Sequence, residues 1–496
     1  MNAYLVNMGR RYLRQINWPL LLFLVFFLNV KLYIKIVAIF FAIFLHRKTP
    51  DFRNVARKKW LWFYLAMIAL AGINRLISLS SLSMQSLLSF GLGCSYWLLA
   101  MAAAWQIFLF VQEEERGKLH RTAEFFFFLH IVATLTSFAW ICWQAGTLNP
   151  YTFEGLHRKY FISTGDFITG ISLEGSVATA LINAMGLLYF LYRNRKIASL
   201  LGLVTVLLAG SNFIDLLLLT IFVIIAIGHT NRVQKGMIAV YVLLMVVFAI
   251  WVSPQNKDYV RATLGRIMPG DVYVPSTPLP HPKMTDFVEK KTVVQRKKEL
   301  ASFKNGIYPP GWEDSLRTRY KGWSHFGRLI ALEEMGDFFR NHPDRLLLGA
   351  GMGNYSSRLA FKTTALDIDG GYPQAERYIH PYFRDDYLFL YLYYHTREEG
   401  EHSVVNKPDS VYGQLLGEYG LAGILVFLFF YAGFFLQGMR SLSYGIPLLL
   451  LMGAAFLTEY WFEQLSVVVL FEFLMLLDQP PAADLTLLTP KTPTST

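Results

Sequence analysis

Cysteine is scarce in this chain: two residues, Cys94 and Cys142, among 496. Both fall inside apolar runs, which excludes a disulfide framework and any cysteine-based zinc site. Charge is scarce too, at 16% of residues against 54% hydrophobic. That balance excludes an ordinary soluble globular protein. Internal repeats are missing, which argues against a transporter built from symmetric halves. No cluster has metal-ligand spacing, so no metal and no cofactor is expected. Nucleotide motifs are missing as well. GAGMGN, from Gly349 to Asn354, has neither the G-x-G-x-x-G spacing of a dinucleotide fold nor the GK[ST] ending of a P-loop.

What the chain has instead is long apolar runs. LLLFLVFFL, VTVLLAG, LLLLTIFVIIAI and VYVLLMVVFAIWV read as membrane spans. No small-residue cleavage site follows Leu28, so the first run reads as an uncleaved span. The pattern predicts an all-α polytopic membrane protein with about twelve spans of roughly 15 to 25 residues. They lie near Trp18–Val30, Leu32–Leu45, Trp60–Leu79, Gln85–Val111, Ala123–Gly146, Leu173–Tyr192, Ile197–Ala209, Phe213–Gly228, Met237–Val252, Leu415–Gly438, Ile446–Tyr460 and Leu465–Leu477. The first pair, and the pair around Gly210, are each almost one run broken by a short polar step.

The formal charge of +11 does not call for nucleic acid, because much of it lies in short loops. Loops such as HRKTPDFRNVARKK, RGKLHR, RNRK and NRVQK recur two spans apart, and positive-inside bias makes them cytoplasmic. Parity then makes residues 253–410 one large, mainly helical extracytoplasmic loop domain. It lies between an N-terminal bundle (1–252) and the C-terminal membrane helices (411–478). A disordered cytoplasmic tail (479–496) follows, and both termini are cytoplasmic. Inside the loop, PSTPLPHP and the charge run EKKTVVQRKKE are mobile or solvated in this reading. A helix carrying Leu329, Ile330, Leu332, Met335, Phe338 and Phe339 stops at Asn341-His342-Pro343. YLFLYLYYH suits a helix at the membrane interface.

On its own, the glycine stretch is either a plain turn or a turn that approaches a lipid-linked phosphate. Its surroundings add to this: GRLIALEEMGDFFRNHPDRLLLGAGMGN, then DSVYGQLLGEYGLAGILVFLFFY. Together these resemble the O-antigen ligase and O-antigen polymerase superfamily of bacterial envelope enzymes, over Phe326 to Phe430. In that family an arginine opens an extracytoplasmic helix, an "hP…GxGxGN" turn follows, and a segment like HNxYLxxLxExGxxG enters the next span. Arg328 falls on the helix arginine and His342-Pro343 on the "hP". Gly349, Gly351, Gly353 and Asn354 fall on the turn. Tyr412, Leu416, Glu418, Gly420 and Gly423 fall on the last motif. Two positions depart from the pattern. Asp409-Ser410 stands where the family has His-Asn, the nearest such pair upstream being His402 and Asn406. Asn212, in AGSNF, stands where the family has an arginine.

The resemblance implies an enzyme of the bacterial inner membrane that uses no cofactor. It would transfer a glycan from an undecaprenyl-pyrophosphate carrier to a glycan or lipid acceptor in surface-polysaccharide biosynthesis, as ligase or polymerase. Polysaccharide assembly proteins are possible partners, besides the lipid bilayer; nucleic acid is not. Such a reaction needs cations on the leaving pyrophosphate and a base for the acceptor proton. Arg328 is the expected pyrophosphate cation, and surface pairing with Glu333 or Glu334 is its alternative. His402 and Asp409 compete as base, with helix capping as the alternative for Asp409. Substrate binding falls to Gly349, Gly351, Gly353, Asn354, Arg358, Arg75, Tyr412 and Glu418. Ionisable residues in or beside spans are functional candidates by default. On that ground Arg75, Glu174, Glu459 and Glu463 are candidates to rim a saccharide groove; the alternatives are snorkelling into the headgroups for Arg75 and a favourable place at a helix N-terminus for Glu174. A polysaccharide or lipid transporter and a catalytically degenerate scaffold are the rival readings, the second kept open by Asn212 and Asp409.

Overall fold

The computed structural model describes residues 13–29, 31–46, 59–77, 83–152, 156–157, 160–161, 168–228, 230–253, 327–364, 379–390, 392, 407–437 and 439–479. His402, the charge run and residues 480–496 of the C-terminal tail lie outside the described residues. Those that are described are overwhelmingly helical, with one two-stranded ribbon of Leu156–His157 against Tyr160–Phe161.

Each apolar run holds a helix. In chain order these are α1 Trp18–Phe27, α2 Leu32–His46, α3 Lys59–Ile77, α4 Met84–Glu113, α5 Arg116–Ala145, α6 Ser176–Tyr192, α7 Lys196–Ala209, α8 Asn212–Gly228 and α9 Arg232–Val247. After them come α10 Gly327–Asn341, α11 Arg358–Thr363, α12 Pro381–Asp386, α13 Val411–Val426, α14 Gly445–Ala455, α15 Trp461–Gln464 and α16 Ser466–Asp478. Both α9 and α13 run on through a π-helical turn, Phe248–Val252 and Phe427–Ala432.

Among the described residues, five helical stretches are long and apolar enough to cross a membrane: Trp60–Ile77, Met84–Glu113, Arg116–Ala145, Arg232–Val252 and Val411–Leu436. The other runs give helices of only 10 to 17 residues. At about 1.5 Å per residue these measure roughly 15 to 26 Å, short of the ~30 Å hydrocarbon core. Local chemistry cuts them short. Asn29 turns the chain between α1 and α2 by accepting from the Lys31 N–H at 3.0 Å, and Gly210 ends α7 in the left-handed region at φ 65°.

Helix starts follow side-chain capping. Asn17 accepts from the Leu20 N–H, and capping boxes open α4 (Ser83, Ser86) and α9 (Asn231, Gln234). The bundle core is aromatic: Phe63, Tyr64, Trp97, Phe427, Tyr431 and Phe462 pack against one another, mostly edge-on or tilted, across α3, α4, α13 and α15. Outward faces are apolar too, as on α2, where Tyr33, Val37, Phe40 and Phe44 are exposed. A helix apolar on all sides suits lipid rather than water. Cys94 and Cys142 lie on α4 and α5 as free thiols.

A second, smaller core lies beside the bundle. Ile330, Met335 and Phe338 of α10 meet Tyr355, Phe361, Phe383, Tyr387 and Tyr460 there. The α10 helix stops where the sequence predicts, but Leu329 and Leu332 are exposed, so its buried face is rotated from the expected one. Tyr387–Leu390 and Leu392 pack into this second core. The described part of YLFLYLYYH therefore packs one face into this core.

Candidate functional site

The glycine turn is held by backbone. Gly349, Gly351 and Gly353 all have positive φ, at 69°, 95° and 75°. The α13 helix is broken at Gly420, with φ 66° and ψ −162°, and the turn fills the break. Ala350 N–H donates to Gly417 O at 2.8 Å and Gly351 N–H to Glu418 O at 3.0 Å. In return, Leu421 and Ala422 N–H donate to Leu346 and Leu347 O, both at 3.0 Å. Asn74 of α3 clasps the far side, its amide donating to Leu348 O at 2.7 Å and Gly349 O at 3.0 Å. Asn354 closes the turn on Ala350 O at 3.1 Å. The N–H groups of Gly349, Ala350 and Gly351 are thus all donated to chain carbonyls. Close approach of two backbones, more than display of N–H groups, is what the glycines permit here.

Next to the turn lies a belt of charged and polar side chains. Arg328 donates from Nε to Lys407 O at 3.2 Å, and its guanidinium lies 5.7 Å above the Phe213 ring of α8. Lys407 Nζ contacts Asp409 Oδ2 at 2.5 Å and Glu459 Oε1 at 3.2 Å. Glu459 also accepts from Gln464 at 3.0 Å. The cap of α13 is Ser410, whose side chain accepts from Gly413 N–H; Asp409 instead clamps an ammonium. Arg358 opens α11 behind its own cap, Ser357.

Glu463, on the short α15, accepts from Leu359 N–H at 3.0 Å and from Gln414 Nε2 at 2.7 Å. Burial pushes its carboxyl up to about 7, against the pull of the Arg358 charge and the Leu359 N–H. The folded state therefore keeps a proton that the unfolded chain releases from about pH 4.5 upward. The stability this contributes is complete below pH 4.5 and is lost as pH rises to about 7. Glu463→Gln should flatten the fall of thermal midpoint with pH across that window. An unchanged slope in the variant would assign it elsewhere.

Deeper in, Lys35 of α2 is buried with Glu174 and Ser466. Lys35 Nζ donates to Phe27 O at 2.9 Å and Ser466 Oγ at 2.5 Å, and lies 3.9 Å from Glu174 Oε1. Ser466 Oγ in turn donates a hydrogen bond to Glu174 Oε1 at 2.7 Å. The loop carrying Glu174 is sunk into the bundle. Thr169 N–H reaches Ser137 Oγ at 3.1 Å and Ile171 N–H reaches His130 Nδ1 at 3.4 Å, near the midpoint of α5. Three of the four non-glycine residues with positive φ among the described residues sit in this neighbourhood: Leu173, Glu459 and Leu465. Such conformations cost about 1–3 kcal/mol each and gather at functional sites.

The expected site residues therefore divide. Arg328 and Asp409 meet across Lys407, and the Arg358 charge acts on Lys35, Glu174 and Glu463. Gly349, Gly351, Gly353, Asn354 and Glu418 build the turn and the break; Glu418 is fully buried and accepts from Tyr355 N–H at 3.4 Å. Tyr412 donates to Gly453 O at 2.8 Å, inside the bundle. Arg75 donates to Ser86 Oγ at the start of α4. Sequence reasoning missed Lys35, Lys407, Ser466 and Asn74. Lys35 had a signal, since it is an ionisable residue in an apolar run; the others had none. Among the described residues no three His, Cys, Asp or Glu side chains group to hold a metal ion. No model of a known protein family matches the chain, and no curated protein matches it.

Proposed function

We propose that the chain is a bacterial inner-membrane enzyme of about twelve spans, with residues 253–410 outside and both termini in the cytoplasm. In this reading it transfers a glycan from an undecaprenyl-pyrophosphate carrier to an acceptor hydroxyl in surface-polysaccharide biosynthesis, as O-antigen ligases and polymerases do. The observation that supports it most is the meeting of Arg328 with Phe213. Phe213 follows Asn212, the position where the resembling family carries its arginine. Two motifs more than a hundred residues apart in the chain so converge, and Arg328 brings a guanidinium to the place that Asn212 leaves without one. A planar guanidinium meets phosphate oxygens in pairs and stays charged, which is what a departing pyrophosphate needs. Lys407 and Arg358 add positive charge, and their carboxylate partners keep the belt from being a bare cationic patch. The carrier's isoprenoid tail lies along the apolar outer faces of the helices.

Deleting the gene should make undecaprenyl-linked glycan accumulate while finished surface glycan falls. Single cysteines near Lys304 and Arg53, in a background without Cys94 and Cys142, should differ towards an impermeant thiol reagent. In intact cells only the first should react. Equal labelling would sink the topology, and an unchanged pool of lipid-linked glycan would sink the activity.

A further inference from the structure

We propose that Glu174 takes the proton from the acceptor hydroxyl, with Ser466 and Lys35 as its positioning residues; this rests on the transfer reading above. The starting point is an unsatisfied atom. Glu174 is 7% exposed, and while its Oε1 is held by Ser466 and Lys35, its Oε2 is buried with no hydrogen-bond partner. Leaving such an acceptor unpaired is costly, and more so when the group is charged. A base must keep one oxygen free for its substrate while the other is held, and this is that arrangement. The backbone is strained on both sides of the contact: Leu173 precedes Glu174 and Leu465 precedes Ser466, both with positive φ. Arg358 and Glu459 lie near enough for their charges to act on Glu174. Asp409 is a weaker choice because Lys407 lies 2.5 Å from its Oδ2, against 3.9 Å between Lys35 and Glu174, so its charge is more tightly paired.

The step balances without any co-reactant. The acceptor O–H bond breaks and its proton passes to Glu174 Oε2. The acceptor oxygen bonds the anomeric carbon, and the glycosyl–pyrophosphate bond breaks, its electron pair leaving with the lipid pyrophosphate. Glu174 then returns the proton to water.

The bland alternative is a buried ion pair that only ties α2 to the loop before α6, with Ser466 of α16 between them. Two variants separate the readings. Glu174→Gln keeps the shape and an acceptor for Ser466 but cannot take a proton, so transfer should fall about 10²- to 10⁴-fold. Lys35→Met combined with Glu174→Gln removes both buried charges, which commonly restores or raises stability. Under the proposal the double variant keeps its thermal midpoint in detergent and still accumulates undecaprenyl-linked glycan in cells. Glu174→Asp, which keeps the carboxylate, should recover at least tenfold over glutamine. Transfer at the wild-type rate by the double variant or by Glu174→Gln, in a strain whose deletion does accumulate the lipid-linked glycan, overturns the proposal alone. If the deletion strain accumulates none, the transfer reading falls and takes the proposal with it.

Discussion

Lysine in place of Arg328 is expected to cut glycan transfer by about 10²- to 10³-fold, the usual loss when one preorganised charge contact is removed. The guanidinium does two things at once. Its Nε holds Lys407 O, and its plane lies over Phe213. An ammonium can neither stack as a plane nor offer two parallel donors to a phosphate. Were Arg328 only a staple for the segment before α13, lysine would cost one hydrogen bond, about 0.5–1.5 kcal/mol of stability, and leave the rate alone. Lipid-linked glycan in cells holding normal amounts of the variant decides between the two. A wild-type pool would remove Arg328 from the chemistry.

Gly349→Ala should destabilise the protein by about 4 kcal/mol or prevent folding. A Cβ there would stand 2.4 Å from the Glu418 carbonyl carbon and 2.6 Å from the Tyr419 nitrogen. Both are backbone atoms of a helix and have nowhere to go. Left-handed strain of about 1–2 kcal/mol adds to an overpacking cost of about 1–3 kcal/mol. Gly351 is different: its Cβ would meet the side-chain ends of Asn354 at 2.9 Å and Asn74 at 3.1 Å, which can turn aside. Gly351→Ala should therefore be the milder of the two, with its own strain at φ 95° as the main cost. Thermal midpoints of the purified variants in detergent test the order, and a Gly349→Ala protein as stable as wild type would refute the docking.

The helices were legible because apolar runs and caps are local signals: Ser83, Asn231 and Gly210 mark ends in three or four residues. Helix length was less so, since a polar step such as Asn29 shortens a helix without erasing its hydropathy. In the candidate site, Arg328 and the glycines stood out by motif, but their partners did not. Lys407 is one more lysine in a basic loop until Asp409 and Glu459 are folded around it. Asn74 looks like a helix-end polar residue until the turn arrives from more than 270 positions away in the chain. Nor does periodicity predict that a helix will break at Gly420, because the broken helix continues in nearly the same register of apolar residues.

That break also bears on how the protein is made. The turn leaves the ribosome before α13 does, and α13 without it carries unpaired N–H and C=O groups around Gly420. In lipid each such group costs several kcal/mol. A freshly inserted α13 would be a poor membrane helix around Gly420, in its interior, until residues 346–351 return to it. Assembly of the bundle therefore waits on capture of an already synthesised loop, and a chain stalled between these events would present a helix end that quality-control proteases can grip.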